Sequence, residues 1–397
     1  MTDFNPFAPE FVADPYPVYD LLRESSPLFF HEQLNMWCVL DHTTCVALLK
    51  SHSLGHELRR DMLREQPASC QSPLVEMQSR WMLLRDPPTH TRLRSTLYEA
   101  FAPSAIDRLR PQIQRAVDRL LATALQKGEM DIVEDVAAPL PLMVIADMFG
   151  VPDCDRHVLR RWSRELVDTV ELNASPDVLD RGATAAVEFS AFLRELAQER
   201  RRKPRQDVLS ALVHVDARGN ALTDDEVIAT CTLLLVAGHE TSTNFIGNGM
   251  LALLRRPDQL ELLKAHPELG PRAIEELLRY DSPVQTTFRT VLQDTAYEGE
   301  RLRRGATVCF MLGAANHDPA IFKEPGTLDI TRDPNPHLSF SYGIHYCLGA
   351  PLARLEGQIA IQTLLRDVPH LELVDESPTH RMTWAARGLV ALPVRVG

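Results

Sequence analysis

Cys347 lies in the stretch with the most chemistry in it, Phe340-Ser-Tyr-Gly343-Ile-His345-Tyr-Cys347-Leu-Gly349. It reads as a glycine-bent loop leading into a helix from about Leu348 to Leu365, which puts the cysteine at the helix start. Amide donors and the positive end of the helix dipole there favour a thiolate over a thiol. Gly343 and Gly349 remove side chains that would keep a flat ligand away from the backbone. A thiolate held this way can bind iron and push electron density toward it, which favours O–O cleavage. A lone cysteine is more often an inert buried thiol, so the spacing around it has to carry the reading.

A second concentration of chemistry falls inside a long helix. Thr223-Asp-Asp-Glu226 is a capping box, and the helix it opens can run to about Arg256, where Pro257 stops it. Such a helix spans about 45 Å. Its middle, Leu233-Leu-Leu-Val-Ala-Gly238, is apolar on every face and should be buried. His239, Glu240, Thr241, Ser242 and Thr243 follow at once. Polar groups there are costly unless partnered or functional; a network between helices and a catalytic use both fit. His31-Glu32, His56-Glu57 and His239-Glu240 each lack the second histidine of HExxH, which excludes that class of metal hydrolase.

The elements that must position these residues follow from composition and period. The 397 residues are 45% hydrophobic, 24% charged and only 6% aromatic, a mixture that suits helices. Helical patterns cover Ile106–Gln126, Pro139–Phe149, Asp177–Arg202 and Ile274–Tyr280. Strand-like runs occur at Leu28–Phe30, Met36–Leu40, Thr307–Met311 and Leu389–Val396. The expected fold is mainly α, one domain over residues 1–397 with a small, sequence-discontinuous β region. Pro6, Pro9, Pro15 and Pro17 point to an extended arm over residues 1–20, and Arg200-Arg-Arg-Lys203 reads as a solvated loop. The net charge of −12 argues against general affinity for nucleic acid or anionic membrane. Seven cysteines without a CxxC pair suggest neither disulfide framework nor zinc ribbon and fit a reduced, cytoplasmic setting. No signal peptide and no apolar run of about 18 residues is visible.

The pattern F-x-x-G-x-H-x-C-x-G of residues 340–349 resembles the haem-binding loop of the cytochrome P-450 superfamily at every defining position. Ala237-Gly238-His239-Glu240-Thr241 resembles its oxygen-binding motif, and Glu276-Leu-Leu-Arg279 its ExxR pair, in the right order. The resemblance covers nearly the whole chain and is strongest to the soluble bacterial members. It implies a single cytochrome P-450-like domain carrying haem b, a haem-dependent monooxygenase that inserts one atom of O2 into a small or medium-sized lipophilic organic substrate, and a place in secondary metabolism.

Roles follow from the same resemblance. Cys347 ligates the iron, Phe340 packs on the sulfur side, and Gly349, Ala237 and Gly238 let the haem and oxygen approach. His345, His90, Arg94 and Arg289 hold the propionates, a sound use of charge-assisted bonds. Glu276 and Arg279 lock a helix against the loop before the cysteine; Asn316, Asp318, Pro319, Arg332 and Asn335-Pro-His337 belong to the same scaffold. Tyr342 stands where relatives often carry a small residue. Glu240 and Thr241 form an acid–alcohol pair able to relay protons to oxygen, which argues against a peroxide-dependent member. Leu233, Val236, Val284, Thr287 and Phe288 are the expected substrate contacts, together with the variable segments Met62–Leu84 and Leu166–Arg181. Rival readings are a haem-thiolate enzyme doing coupling, dehydration or isomerisation, and a haem sensor without turnover. With no fused reductase visible, electrons are expected from a ferredoxin or flavodoxin with its NAD(P)H-dependent reductase. Residues 80–119, with eight arginines against four acids, are the expected docking region, and a monomer is expected.

Overall fold

The computed structural model describes residues 4–57, 72–126, 129–152, 155–214, 222–368 and 370–396. Helices dominate, and the chain divides into two compact units: Met1–Leu54, Leu109–Leu140 and Thr241–Gly397 form one, Gly55–Arg108 and Pro141–Glu240 the other.

The first unit holds the main sheet, in which Leu28–His31, Met36–Val39, Thr307–Met311 and Thr286–Val291 lie side by side in that order. Met36–Val39 runs parallel to Thr307–Met311, with Cys38 opposite Cys309, and Thr286–Val291 pairs antiparallel on its other side. Alternate residues feed two hydrophobic layers. Val39, Val308 and Phe310 enter one, and Met36, Cys38, Cys309 and Met311 the other. A sheet covered on both faces wants continuously apolar strands, which is why Thr307–Met311 reads as an unbroken run. A smaller sheet joins Glu129–Asp131, Pro393–Val396 and Leu371–Leu373.

Two expectations about local structure are corrected. The N-terminal prolines do not make an extended arm: Pro9–Ala13 and Tyr16–Ser25 are helices with proline in the first turn of each, where its missing N–H costs nothing. Arg200–Arg202 form the last turn of the helix Pro176–Arg202 rather than a loop. Arg200 is fully buried, bonded through Nε to Asp207 at 2.5 Å and through Nη2 to the Gly150 carbonyl at 2.7 Å. A third element was not anticipated. Thr286–Val291 carries three threonines and an arginine beside only two apolar residues, a poor period-2 pattern, and forms a strand because Thr307–Met311 offers it an edge.

The long helix is Asp224–Leu254. Its capping box is closed both ways: the Glu226 N–H donates to Thr223 Oγ1 at 3.2 Å and the Thr223 N–H to Glu226 Oε2 at 2.9 Å. Glu226 also pairs with Arg92.

Candidate functional site

The cysteine loop is built on a tight turn. Gly343–His345 form one 3-10 turn, and Gly343 has φ +78°. A Cβ there would stand 2.6 Å from the Leu49 carbonyl oxygen, so the position requires glycine on both counts. The Cys347 N–H donates to the Phe340 carbonyl at 3.0 Å, which closes the loop. The following helix starts at Ala350, with Gly349 as N-cap and a proline in its first turn. Cys347 therefore precedes the helix by three residues instead of opening it, and the dipole acts on it more weakly than expected, since that effect is confined to the first turn.

What distinguishes Cys347 is access. Cys38, Cys45, Cys231 and Cys309 are buried, whereas Cys347 is half-buried. Burial pushes the Cys231 thiol up to about 12 and raises those of Cys45 and Cys309 well above the ordinary range, so these three stay protonated. A Cβ built on Gly349 would meet nothing within 4 Å except Cys347 Sγ at 3.9 Å; the flank beside the sulfur is open. Arg289, in the same unit, is 5% exposed on the strand Thr286–Val291, with Nη1 donating to Phe288 O at 2.7 Å and Thr287 Oγ1 at 3.2 Å. His345 is half-buried in the loop itself. An accessible sulfur, an open flank and a buried cation are a donor set that suits a flat, anionic, iron-bearing group.

Glu276 and Arg279 are both 0% exposed. Arg279 Nε and Nη2 each donate to Glu276 at 2.8 Å, and its Nη1 reaches the carbonyls of Asn316 at 3.0 Å and Pro325 at 2.8 Å. Glu276 also accepts from Arg332 Nε, Asn335 Nδ2 and the Asp329 N–H at 3.0–3.2 Å. The helix Gly270–Tyr280 is thus bound to the chain just before the cysteine loop. Asn316 extends the hold: Nδ2 donates to Ser282 Oγ and Ser339 Oγ, and Oδ1 accepts from the Leu338 N–H.

On the long helix, every residue from Val227 to Leu253 is buried except Ala237, Gly238 and Thr241. Positions i, i+1 and i+4 share one helix face, so the oxygen-type motif sits at an opening of a face that is otherwise covered. This corrects the expectation that Leu233–Gly238 is buried throughout. The polar cluster also divides. His239 Nδ1 shares a 2.8 Å hydrogen bond with Ser163 Oγ, both buried, and Ser242 donates to the buried carboxyl of Glu356. Those two belong to the network between helices, while Thr241 stays half-exposed and Glu240 is 7% exposed. A Cβ on Gly238 would lie 2.6 Å from Ile145 Cδ1, the far end of a flexible side chain that a larger residue would displace.

His90 and Arg94 sit four apart on the helix Thr89–Ser95 of the second unit, His90 buried and Arg94 half-buried. Leu233 and Val236 are buried on the long helix. Val284 and Phe288 are partly buried against core clusters, Phe288 edge-on to Trp384 at 6.0 Å. Thr287 is half-buried and bonded to Arg289. Residues 62–71 of the expected pocket segment lie outside the described residues. In the other segment Val170, Leu172 and Leu179 are exposed. Sequence reading passed over Glu356 with Ser242 and Glu275 with Arg354, pairs joined only by the fold; no spacing rule links residues so far apart.

A profile of the family described as Cytochrome P450 matches residues 36–394. The chain belongs to the cytochrome P450 family. It is 41% identical to the biotin biosynthesis cytochrome P450 of Bacillus subtilis (strain 168) over 97% of each chain. It is 38% identical to the cytochrome P450 monooxygenase PikC of Streptomyces venezuelae over 99% of this chain and 94% of that one. Among solved structures, P450BioI in complex with an acyl carrier protein ligated to hexadec-9Z-enoic acid aligns with TM-score 0.93 and 40% identity, covering 98% of this chain and 100% of that one. As a cytochrome P450 the protein is an oxidoreductase of the monooxygenase class, whose cofactor is haem held through a cysteine thiolate. Among the described residues, no helix is long and apolar enough to cross a membrane.

Proposed function

We propose that this cytochrome P450 inserts one atom of dioxygen into a small or medium-sized lipophilic substrate, with Cys347 as the iron ligand. The observation that carries the reading is the half-buried Cys347 beside the open flank of Gly349, in a chain whose other described cysteines are buried. Bound haem supplies the centre at which dioxygen is activated. The chain does the rest. Arg289, His345, His90 and Arg94 hold the two propionates. Phe340 covers the sulfur side, and Glu276 with Arg279 keeps the loop in place. Thr241 faces the opening on the long helix and hands protons to oxygen, with Glu240 resupplying them. Ala237 and Gly238 leave that opening accessible, Leu233, Val236, Val284 and Phe288 meet the substrate with apolar surface, and Thr287 adds a hydroxyl.

Electrons come from a ferredoxin or flavodoxin served by an NAD(P)H-dependent reductase, and the protein works as a cytoplasmic monomer of one domain. Of the basic stretch, Arg80, Arg85 and Arg92 pair with Glu76, Glu57 and Glu226. Arg108, Arg110, Arg115 and Arg119 are exposed and are the better candidates to meet an acidic donor. A role in secondary metabolism is supported by relatives such as the polyketide biosynthesis cytochrome P450 PksS of Bacillus subtilis (strain 168), 38% identical.

Turnover under isotopically heavy dioxygen tests the reaction. Substrates are first found by the shift they cause in the haem Soret band, and mass analysis of the product should then show one heavy oxygen atom. A transformed product without the label would replace insertion by coupling, dehydration or isomerisation.

A further inference from the structure

Glu275 and Glu276 are neighbours on one helix, yet only Glu276 enters the buried network described above. Glu275 turns to the cysteine loop. Its carboxylate accepts from Arg354 Nε at 2.6 Å and Nη2 at 2.8 Å, a two-pronged contact, and from His337 Nε2 at 3.1 Å. Arg354, from the second turn of the helix Ala350–Asp367, sets its guanidinium carbon 4.5 Å from the centroid of the Phe340 ring and donates from Nη1 to the Tyr346 hydroxyl at 3.2 Å. His337 and Tyr346 flank the same ring at 5.9 and 6.2 Å. Three groups around Phe340 are therefore hooked directly or indirectly to one carboxylate, and Phe340 itself is bonded through its carbonyl to the cysteine.

We infer that Glu275 and Arg354 form a charge clamp that braces Phe340 beside Cys347 and sets how readily the iron carried by that loop accepts an electron. The inference rests on Cys347 being the haem ligand. A cation on the face of an aromatic ring is attracted to it, and the bidentate carboxylate fixes the cation's orientation. Burial alone would raise the Glu275 carboxyl, but the hydrogen bonds from Arg354 and His337 outweigh it and hold the group down at about 2. The pair is thus ionised on both sides at working pH. Together the two charges cancel, and either one alone does not. A lone carboxylate beside the loop opposes an added electron, and a lone guanidinium favours it.

The test is the reduction potential of the haem-loaded, full-length protein, read by spectroelectrochemical titration. Arg354→Gln should lower the potential and Glu275→Gln should raise it, each changing the equilibrium constant for one-electron reduction several-fold, on a scale of about 59 mV per tenfold. The double variant should return close to the wild type. Arg354→Lys, which keeps the charge, should also stay close. A purely structural contact would move both single variants the same way, or strip haem from both, and either outcome overturns the inference. So does Arg354→Lys falling as far as Arg354→Gln. If instead the wild-type protein lacks the spectrum of a thiolate-ligated haem, the ligand assignment fails first, whatever the potentials do.

Discussion

Thr241 is the residue on which the account of oxygen activation depends. It is the one hydroxyl at the opening of the long helix, since Ser242 and Thr243 are buried and Ser242 is committed to Glu356. Thr241→Ala removes the hydroxyl with little change in volume. Substrate should still bind and the haem should still be reduced. Coupled product should fall by on the order of 100-fold, the lower end of the usual scale for a positioned proton donor, with hydrogen peroxide released in its place. Glu240→Gln should instead slow dioxygen consumption itself, because an amide cannot resupply protons. Equal coupling in Thr241→Ala and the wild type, measured as product per reducing equivalent, would remove this residue from the mechanism. Glu356 has a different consequence. Burial raises its carboxyl to about 8 from an ordinary 4.5, against the opposing hydrogen bond from Ser242. Between those values the unfolded chain ionises this group while the folded protein keeps it protonated. The stability it contributes is therefore complete below the unfolded value and is lost as pH rises toward about 8. Glu356→Gln keeps a neutral hydrogen-bonding group in place and removes that loss. Its advantage over the wild type should grow by a few kcal/mol between about pH 5 and about pH 8 in denaturant titrations. Parallel behaviour of the two proteins across that range would mean that the carboxyl is ionised in the fold.

The long helix and the ExxR helix carry the site by different means. The first positions Ala237, Gly238 and Thr241 by regular geometry, and its start and length were legible because a capping box and a proline are local signals. The exposure of Ala237 was not legible, because an apolar run looks the same whether or not a neighbouring element leaves part of it open. The helix after Cys347 starts at Ala350, two residues later than its apolar pattern suggests, because Gly349 is the N-cap and a proline sits in the first turn. The ExxR helix works through long-range bonds. Glu276 and Arg279 alone resemble a surface i,i+3 pair worth little, and only the fold reveals Arg332, Asn335 and the carbonyls of residues 316, 325 and 327 around them. Glu276→Gln leaves Arg279 and Arg332 without their shared anion in a fully buried place, a loss of about 3–5 kcal/mol. The variant should melt at lower temperature and purify with less haem per chain. Wild-type haem content and melting temperature would show that the loop is held by other contacts.

At the scale of the whole molecule, elements remote in sequence converge on one short loop. The segment around Asn316 ties down Leu338, and Leu49 closes against Gly343. Motif spacing pointed to that loop but gave no account of its supports, which come from pairings that no local pattern links, from Asn316 with Leu338 to Leu49 with Gly343. Everything in the mechanism presumes that the loop delivers a thiolate to iron. The reduced, haem-loaded protein under carbon monoxide reads this directly. The wild type should show the strongly red-shifted Soret band of a thiolate-ligated haem, abolished in Cys347→His even where haem is retained; the same red-shifted band in Cys347→His, or its absence from the wild type, would overturn Cys347 as the iron ligand.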